Sequence, residues 1–175
     1  IGIVTDDSRP IIRYTGYIPN GKGIWVFESP GISDDIYIAN IVFEGARVTD
    51  NQGGNGAGIR FQANNLTIRN CVFRNCQNGI LEGHGAVKSS NVSLLACEFD
   101  NNGYSGYEHH IYINASTDTL LIKVVIFTTH AAKPILSRLV HKTPSYSITT
   151  STKPMAMEVM RLILHKAVTI SSWVT

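Results

Sequence analysis

The chain has 175 residues, of which 16% are charged and 43% hydrophobic, and its formal net charge is +2. That length suffices for one domain with a sizeable core. The modest charge argues against nucleic acid or a membrane surface as partner, and no apolar run approaches the ~18 residues of a membrane-spanning helix. The opening Ile-Gly-Ile-Val has no secretory signal pattern, so we expect a processed or excised segment.

Composition changes abruptly along the chain. All 15 Gly and all 13 Asn lie in residues 1–114, and the last 61 residues contain neither. Residues 1–114 carry eight basic and eleven acidic side chains (−3), whereas the remainder carries seven and two (+5). We therefore predict two units, 1–127 and 128–175, with the change falling between Asn114 and about Thr129.

An internal repeat dominates the first unit. Four segments align without gaps: Ile38–Phe43, Ile68–Phe73, Leu94–Phe99 and Ile122–Phe127. Their final phenylalanines recur at intervals of 30, 26 and 28 residues. Strands this short cannot bury an apolar face alone, but coiling lets each one pair with its equivalent a turn later, about 4.8 Å away. The repeat predicts that the four phenylalanines stack inside a solenoid, with Gly and Asn at the corners because both accept positive φ.

A second set of strands precedes the first in each turn. The segments begin Gly23-Ile-Trp-Val, Gly58-Ile-Arg-Phe, Gly79-Ile-Leu-Glu and His110-Ile-Tyr-Ile. If the four isoleucines point inward, their neighbours point outward. One predicted outward column is Trp25, Arg60, Leu81 and Tyr112, and the adjacent one is Gly23, Gly58, Gly79 and His110. Such a strip forms a shallow groove suited to sugar rings; the alternative is a solvated strand face packed against a loop.

The predicted fold class is all-β: a right-handed parallel β-helix of about four to five turns, with an irregular C-terminal tail containing one amphipathic helix. An antiparallel sandwich does not need like residues at intervals near 28, and it usually shows two-residue hairpin turns. A leucine-rich repeat has shorter units dominated by Leu.

Specific motifs carry a family resemblance. They are Gly-Lys-Gly-Ile-Trp-Val (21–26), Ile-Val-Phe-Glu-Gly-Ala-Arg-Val (41–48), Asn-Gly-Ala-Gly-Ile-Arg (55–60) and Cys-Gln-Asn-Gly-Ile-Leu (76–81). Over residues 1–127 the chain resembles an internal fragment of bacterial right-handed parallel β-helix repeat proteins of the pectate-lyase-like superfamily. The resemblance implies an extracellular or secreted protein whose partner is a polysaccharide. Polysaccharide lyases, glycan hydrolases, adhesins and phage fibres all share this appearance, so a non-catalytic structural module and a fragment without activity remain alternatives.

The segment from Tyr104 to Tyr112 is the densest candidate site. A lyase needs a base for the C5 proton and a cation for the uronate carboxylate. The predicted catalytic set is Arg60 as the cation, with His110, His109, Glu108 and Tyr107; the predicted substrate-binding set is Trp25, Tyr112 and Tyr104. Loop decoration is the alternative for this cluster.

Two further points bear on that cluster. In an extended segment His109 and His110 point to opposite faces, so at most one shares a face with Tyr112. A hydrolase requires two positioned carboxylates, and Glu108 with Asp100 is the conceivable pair.

Three cysteines, an odd number, leave at least one unpaired within the chain. Cys71 and Cys97 each precede a ladder phenylalanine by two residues, which predicts stacked, buried structural thiols. Cys71 and Cys76 lack metal-ligand spacing, and we predict no metal site from cysteine.

Calcium is the one cofactor considered, because some β-helix lyases use Ca²⁺ to bridge acidic sugar to protein. The pairs Asp6-Asp7 and Asp34-Asp35 supply carboxylates, but no Asp-rich repeat supports a site. Solvated turn residues are the preferred interpretation.

The tail departs from the family pattern. Residues 155–166 place Met155, Val159, Leu162 and Ile163 on one side, which predicts an amphipathic helix begun by Pro154. We expect this helix to cover an open solenoid end or a second chain, giving a homo-oligomer. An out-of-frame or chimeric continuation of the gene and a genuine cap of unusual composition both fit the tail.

Overall fold

A computed structural model describes residues 9–28, 35–83, 91–103, 108–113, 117, 119–128, 137–139, 146–150 and 169–172. Within these ranges the chain forms short strands and one three-residue 3₁₀ helix, Asp50–Gln52. The strands are β1 Ile11–Arg13, β2 Gly23–Glu28, β3 Asp35–Ala39, β4 Val42–Glu44, β5 Ala57–Gln62, β6 Asn65–Arg69, β7 Val72–Arg74, β8 Asn78–Glu82, β9 Asn91–Leu95, β10 Glu98–Asp100, β11 Ile111–Ile113, β12 Thr119–Thr128, β13 Ser137–Leu139, β14 Tyr146–Thr150 and β15 Thr169–Ser172.

The strands coil into an all-β parallel solenoid of about three turns. One sheet runs β13-β11-β8-β5-β2; the other runs β1-β4-β7-β10-β12-β9-β6-β3, with β14 on β12 and β15 on β14. Each of the turns β2–β4, β5–β7 and β8–β10 supplies one strand to the five-stranded sheet and two strands to the larger sheet. The predicted parallel β-solenoid is confirmed in outline, with fewer turns than the four to five predicted. Within the described part of the chain, no helix is long and apolar enough to span a bilayer.

A phenylalanine ladder runs along the centre of the solenoid. Phe43, Phe73, Phe99 and Phe127 occupy one register column of β4, β7, β10 and β12. Successive ring centroids lie 5.0, 5.0 and 5.5 Å apart, with interplanar angles of 6°, 10° and 22°. The ladder predicted from the repeat is therefore confirmed. Burying each ring removes its apolar surface from water, and stacking adds to that gain.

The prediction of buried structural thiols is also confirmed. Cys71 and Cys97 are free, buried residues of the main core, and Cys76 is a free, buried residue of a smaller cluster. Burial raises the pKa of Cys71, and it raises the pKa of Cys76 and of Cys97 to about 12. At neutral pH these groups are thiols, which are poor nucleophiles and metal ligands.

Asparagine ladders form the corners. Asn40 and Asn70 turn the chain between β3 and β4 and between β6 and β7 at φ 59° and 49°. The Asn70 side-chain amide donates to Asn40 Oδ1 over 2.8 Å. At the next corner Asn101 donates to Asn75 in the same way, also over 2.8 Å. Residues with short amide side chains tolerate the left-handed region, and stacking them one turn apart satisfies their polar groups.

Charge alternates along one outward column of the larger sheet. Arg13, Glu44, Arg74 and Asp100 are register partners on β1, β4, β7 and β10. Arg13 Nε donates to Glu44 Oε1 over 3.0 Å, and Arg74 Nε donates to Glu44 Oε2 over 2.8 Å. Opposite charges one strand apart stabilise a sheet, whereas like charges there destabilise it.

Three strands lie within the predicted tail. β13 pairs with β11, β14 with β12 and β15 with β14, all in parallel. The amphipathic helix predicted for residues 155–166 lies outside the described residues. The boundary at residue 127, like the out-of-frame and cap interpretations of the tail, stays a prediction that the coding DNA tests.

Ala96 generates a stability prediction. It follows β9 at φ 51°, in the corner position that Asn40 and Asn70 occupy in the two preceding turns. An alanine in this conformation costs about 1 kcal/mol, and it has no amide to continue the ladder. We expect Ala96→Asn to raise the free energy of unfolding by about 1 kcal/mol in urea denaturation.

The control is Ala39→Asn, one residue before a corner and within β3. That substitution relieves no positive φ and should not stabilise the protein. A stabilisation equal to that of Ala96→Asn would contradict the proposed cause.

Candidate functional site

The five-stranded sheet carries most of the predicted site, and its register corrects the predicted columns. Trp25 pairs with Ile59, and Val26 pairs with Arg60. The Trp25 ring packs edge-on against Phe43, with centroids 5.1 Å apart, and it contacts the main core. The prediction that Trp25 shares an outward column with Arg60 is therefore wrong by one residue, a slip that moves a side chain to the other face.

His110 also lies on the inner side of the sheet. It is 1% exposed, and its ring contacts Phe99 and Phe127 at centroid distances of 6.2 and 5.7 Å. A Cβ added to Gly79, in the same column, would lie 2.8 Å from Phe99 Cδ1. Gly58 and Gly79 of the predicted glycine strip thus face the phenylalanine ladder, not a surface groove. The prediction that His110 lies on the exposed face is wrong, because the imidazole replaces a glycine in the core lining.

Asn102 fixes the orientation of His110. The Asn102 side-chain nitrogen donates to Phe73 O over 2.8 Å and lies 3.1 Å from His110 Nδ1. Its Oδ1 accepts the Cys76 N–H over 2.9 Å. Since the amide nitrogen is a donor, His110 Nδ1 accepts and the ring proton sits on Nε2. Burial lowers the pKa of His110 to about 4, so the ring is neutral at pH 7.

The outward column consists of Val26, Arg60, Leu81 and Tyr112 on β2, β5, β8 and β11. Arg60 is half-buried: a Cβ added to Gly83 would lie 2.8 Å from its Nε. Among the described residues that Nε–H has no hydrogen-bond partner. Burial lowers the pKa of Arg60 and the Glu28 carboxylate raises it, and the guanidinium stays charged because arginine titrates far above neutral pH.

His109 joins this column through Tyr112. The two rings stack with centroids 5.7 Å apart and an interplanar angle of 29°. The Asn78 side-chain oxygen accepts the His109 backbone N–H over 2.9 Å, which anchors the residue at the start of β11. His109 therefore contacts Tyr112 and His110 faces the core, so the two imidazoles take different faces as expected from their adjacency.

The other predicted residues divide as follows. Glu108 is 4% exposed and precedes β11, whereas Asp100 lies on β10 of the larger sheet. Tyr104 and Tyr107 lie outside the described residues. The structure thus brings Arg60, Tyr112 and His109 to one side of the five-stranded sheet and removes Trp25 and His110 from it.

Buried polar residues form a set that the sequence analysis missed. Gln77 Oε1 accepts the N–H groups of Val48 and Gly56, each over 2.8 Å, and so holds the long loop after β4. Glu82 is 1% exposed and accepts the Thr117 hydroxyl over 3.0 Å. Glu82 is the register partner of Phe61, so it places a carboxylate in an otherwise apolar column. The aligned repeat segments already show this difference.

Metal ligation has little support in the described ranges. No group of three or more His, Cys, Asp or Glu residues there is arranged to hold a metal ion. Asp35 accepts the Asn65 amide over 2.7 Å as part of a corner ladder. Asp6, Asp7 and Asp34, the other residues considered for Ca²⁺, lie outside the described residues.

Comparison of the chain with protein-family models, with curated proteins and with solved structures gives no match.

The buried His110 generates a pH prediction. Its folded pKa of about 4 lies below the ordinary 6.5, with the nearby Asp100 raising it and His109 lowering it further. Between about pH 6.5 and pH 4 the unfolded chain therefore binds a proton at His110 that the folded chain does not bind. The free energy of unfolding decreases as pH falls through this range. We expect a loss on the order of 3 kcal/mol from this group.

Equilibrium unfolding across that pH range, in the wild type and in His110→Gln, measures the effect. Glutamine keeps a hydrogen-bonding group beside Asn102 without titrating, so the difference between the two curves isolates His110. Parallel curves would contradict the burial of a neutral imidazole.

Proposed function

We propose that this chain is a polysaccharide-interacting β-helix whose outward column on the five-stranded sheet binds acidic glycans. The observation that carries the proposal is the alignment of Arg60 and Tyr112 in one column with Leu81 between them. Arg60 and Tyr112 are two strand spacings apart, roughly 10 Å. A cation and an aromatic ring at that separation suit neighbouring units of a chain that runs along the solenoid.

Arg60 supports the acidic character of the ligand. Its guanidinium is half-buried and charged, and hydrogen bonds to charged groups are stronger than those between neutral groups. A guanidinium pairs with a carboxylate through two parallel hydrogen bonds. Glu28, which acts electrostatically on Arg60, also pairs with Lys22, so the acid beside Arg60 is partly neutralised.

Tyr112 and His109 support the sugar-binding character. The Tyr112 ring is partly exposed and stacks on the ring of His109, which is 8% exposed, and mostly apolar surfaces with a few placed polar groups are typical of ligand sites. Right-handed coiling, membership of the pectate-lyase-like superfamily and an extracellular location belong to this proposal, and they rest on the motif resemblance alone.

A lyase reaction is the second candidate, favoured by the contact between His109 and Tyr112. With His110 in the core, His109 is the imidazole on the Arg60 side that remains as base for the C5 proton. Arg60 would neutralise the uronate carboxylate in the same reaction. A non-catalytic binding or adhesive module would bind the glycan through the same column but would not cleave it.

The test is calorimetric titration with oligogalacturonate, using its methyl-esterified counterpart as the uncharged control. We expect binding of the acidic oligomer, weakened about tenfold or more by Arg60→Ala, because hydrogen bonds to charged groups contribute about 1.5–3 kcal/mol. Arg69→Ala is the matched control: Arg69 is an exposed arginine that ends β6 on the larger sheet.

Equal losses of affinity in Arg60→Ala and Arg69→Ala would show that the effect comes from net charge. That result would contradict binding by the outward column. No binding of any acidic glycan by the wild type would sink the proposal.

Absorbance of unsaturated uronate separates the two candidates. Turnover that His109→Gln abolishes, with a much smaller loss of oligomer affinity, supports a lyase. Binding without product identifies a non-catalytic module.

A further inference from the structure

The chain contains four Asn-Gly dipeptides, at positions 20–21, 55–56, 78–79 and 102–103. Asparagine deamidates readily in this context, because glycine has no Cβ to hinder attack by its backbone nitrogen on the asparagine side chain. The attack requires that the glycine N–H is released from any hydrogen bond and that the asparagine side chain rotates towards that nitrogen. The hydrogen bonds of the folded chain therefore decide which of the four dipeptides reacts.

The glycine nitrogen is restrained by the backbone in three of the four dipeptides. In each of them the glycine N–H donates to a main-chain carbonyl of another segment or of the same turn. The bonds are Gly21 to Ile18 O over 3.2 Å, Gly79 to His109 O over 3.2 Å and Gly103 to Cys76 O over 3.0 Å.

The asparagine side chains of the same three dipeptides are also held. Asn20 Oδ1 accepts the N–H groups of Lys22 and Gly23 over 2.8 and 3.1 Å, and its Nδ2 donates to Gly23 O over 2.9 Å. Asn78 and Asn102 are buried, and the Oδ1 of each accepts a backbone N–H over 2.9 Å. These side chains must break hydrogen bonds before they rotate towards the next nitrogen.

The fourth dipeptide, Asn55-Gly56, differs at the side chain. Asn55 is partly exposed, and its amide has no hydrogen-bond partner among the described residues. Its restraint lies at the attacking nitrogen, since the Gly56 N–H donates to Gln77 Oε1 over 2.8 Å. This restraint comes from a side chain and not from a backbone carbonyl.

Gln77 is fixed independently of Asn55. It is 8% exposed, its Oε1 also accepts the Val48 N–H over 2.8 Å, and its Nε2 donates to Val48 O over 3.2 Å. The Gln77 backbone N–H donates to Ala46 O over 2.8 Å. The acceptor is therefore held in front of the Gly56 nitrogen, which must give up this bond before it attacks.

We infer that Asn55 is the deamidation site of the folded chain and that Gln77 limits the rate by holding the Gly56 N–H. In the reaction Gly56 N bonds to Asn55 Cγ and the bond from Cγ to Nδ2 breaks. The amide nitrogen leaves as ammonia with the proton that Gly56 N gives up. Water then opens the cyclic imide at either carbonyl and leaves aspartate or isoaspartate at position 55.

The isoaspartate product changes the backbone of the loop as well as its charge. It lengthens the main chain by one carbon directly before Gly56. That glycine is tightly enclosed, because a Cβ there would lie 2.7 Å from Val48 N and its carbonyl accepts the Asn78 N–H over 2.8 Å. The lengthened chain displaces Gly56 from Gln77, so we expect the modified protein to melt at a lower temperature.

Peptide mapping of the folded full chain after incubation in mildly alkaline buffer tests the site. The four asparagines fall in separate tryptic peptides, 14–22, 48–60, 75–88 and 89–123, so mass spectrometry follows each conversion on its own. We expect Asn55 to convert severalfold faster than the other three, and the four rates to converge in urea. Asn55→Gln is the control that removes the mass gain from peptide 48–60. Conversion of another Asn-Gly dipeptide as fast as Asn55 in the folded chain overturns the inference.

Gln77→Met tests the restraint, since methionine keeps a long unbranched side chain without the acceptor. Conversion of Asn55 should rise about fivefold, which corresponds to about 1 kcal/mol for one hydrogen bond, with the other three rates unchanged. An unchanged Asn55 rate in the folded variant overturns the role of Gln77.

A rise at all four sites would show that Gln77→Met unfolds the chain, and hydrogen exchange of the wild type then decides. The Gly56 N–H should be protected from exchange. Exchange at the rate of an unfolded chain would contradict the restraint.

Discussion

Parallel pairing in register is the constraint on which the rest of this structure depends. Each strand bonds to its equivalent in the next turn, so every side chain meets the residue at the same position one turn away. Apolar columns become stacks, as in Phe43, Phe73 and Phe99. Charged columns must alternate in sign, as Arg13, Glu44 and Arg74 do. Amide columns bond to each other, as Asn65 does to Asp35 and Asn91 to Asn65, over 2.7 and 3.1 Å.

The corners show how this constraint weakens along the chain. Asn40 and Asn70 pair with each other, and Ala96 keeps the left-handed turn without an amide. The next equivalent position is Val124, since Lys123 pairs with Leu95 and Ile126 with Glu98. A β-branched residue disfavours positive φ, and here the corner is lost: β12 runs unbroken for ten residues across both parts of the larger sheet. The loss of Asn and Gly from the sequence thus has a direct backbone consequence.

The sequence predicted the phenylalanine ladder because residues 38–43, 68–73, 94–99 and 122–127 align through a column that is phenylalanine in all four segments. It failed for β2, where Gly23-Ile was matched to Gly58-Ile although Gly23 pairs with Ala57. The register offset from β2 to β5 is 34 residues (59 − 25), whereas that from β5 to β8 is 21 (80 − 59). Loops of unequal length between strands make local matching ambiguous by one residue, and one residue exchanges the two faces. His110 was misplaced for a related reason: its column looked like an exposed glycine strip but lines the phenylalanine ladder.

Columns in which similar side chains stack stabilise the solenoid. We therefore expect binding residues only in columns that break this pattern. Val26, Arg60, Leu81 and Tyr112 share neither charge nor shape, and no mutual bonding among them accounts for the half-buried guanidinium. The charged column differs, because Glu44 pairs with Arg13 on one side and with Arg74 on the other. Buried polar groups such as His110 and Asn102 hold the corner between β10 and β11 and have no access to a ligand. Stability and recognition therefore fall on different columns, which lets Arg60 be replaced without loss of the fold.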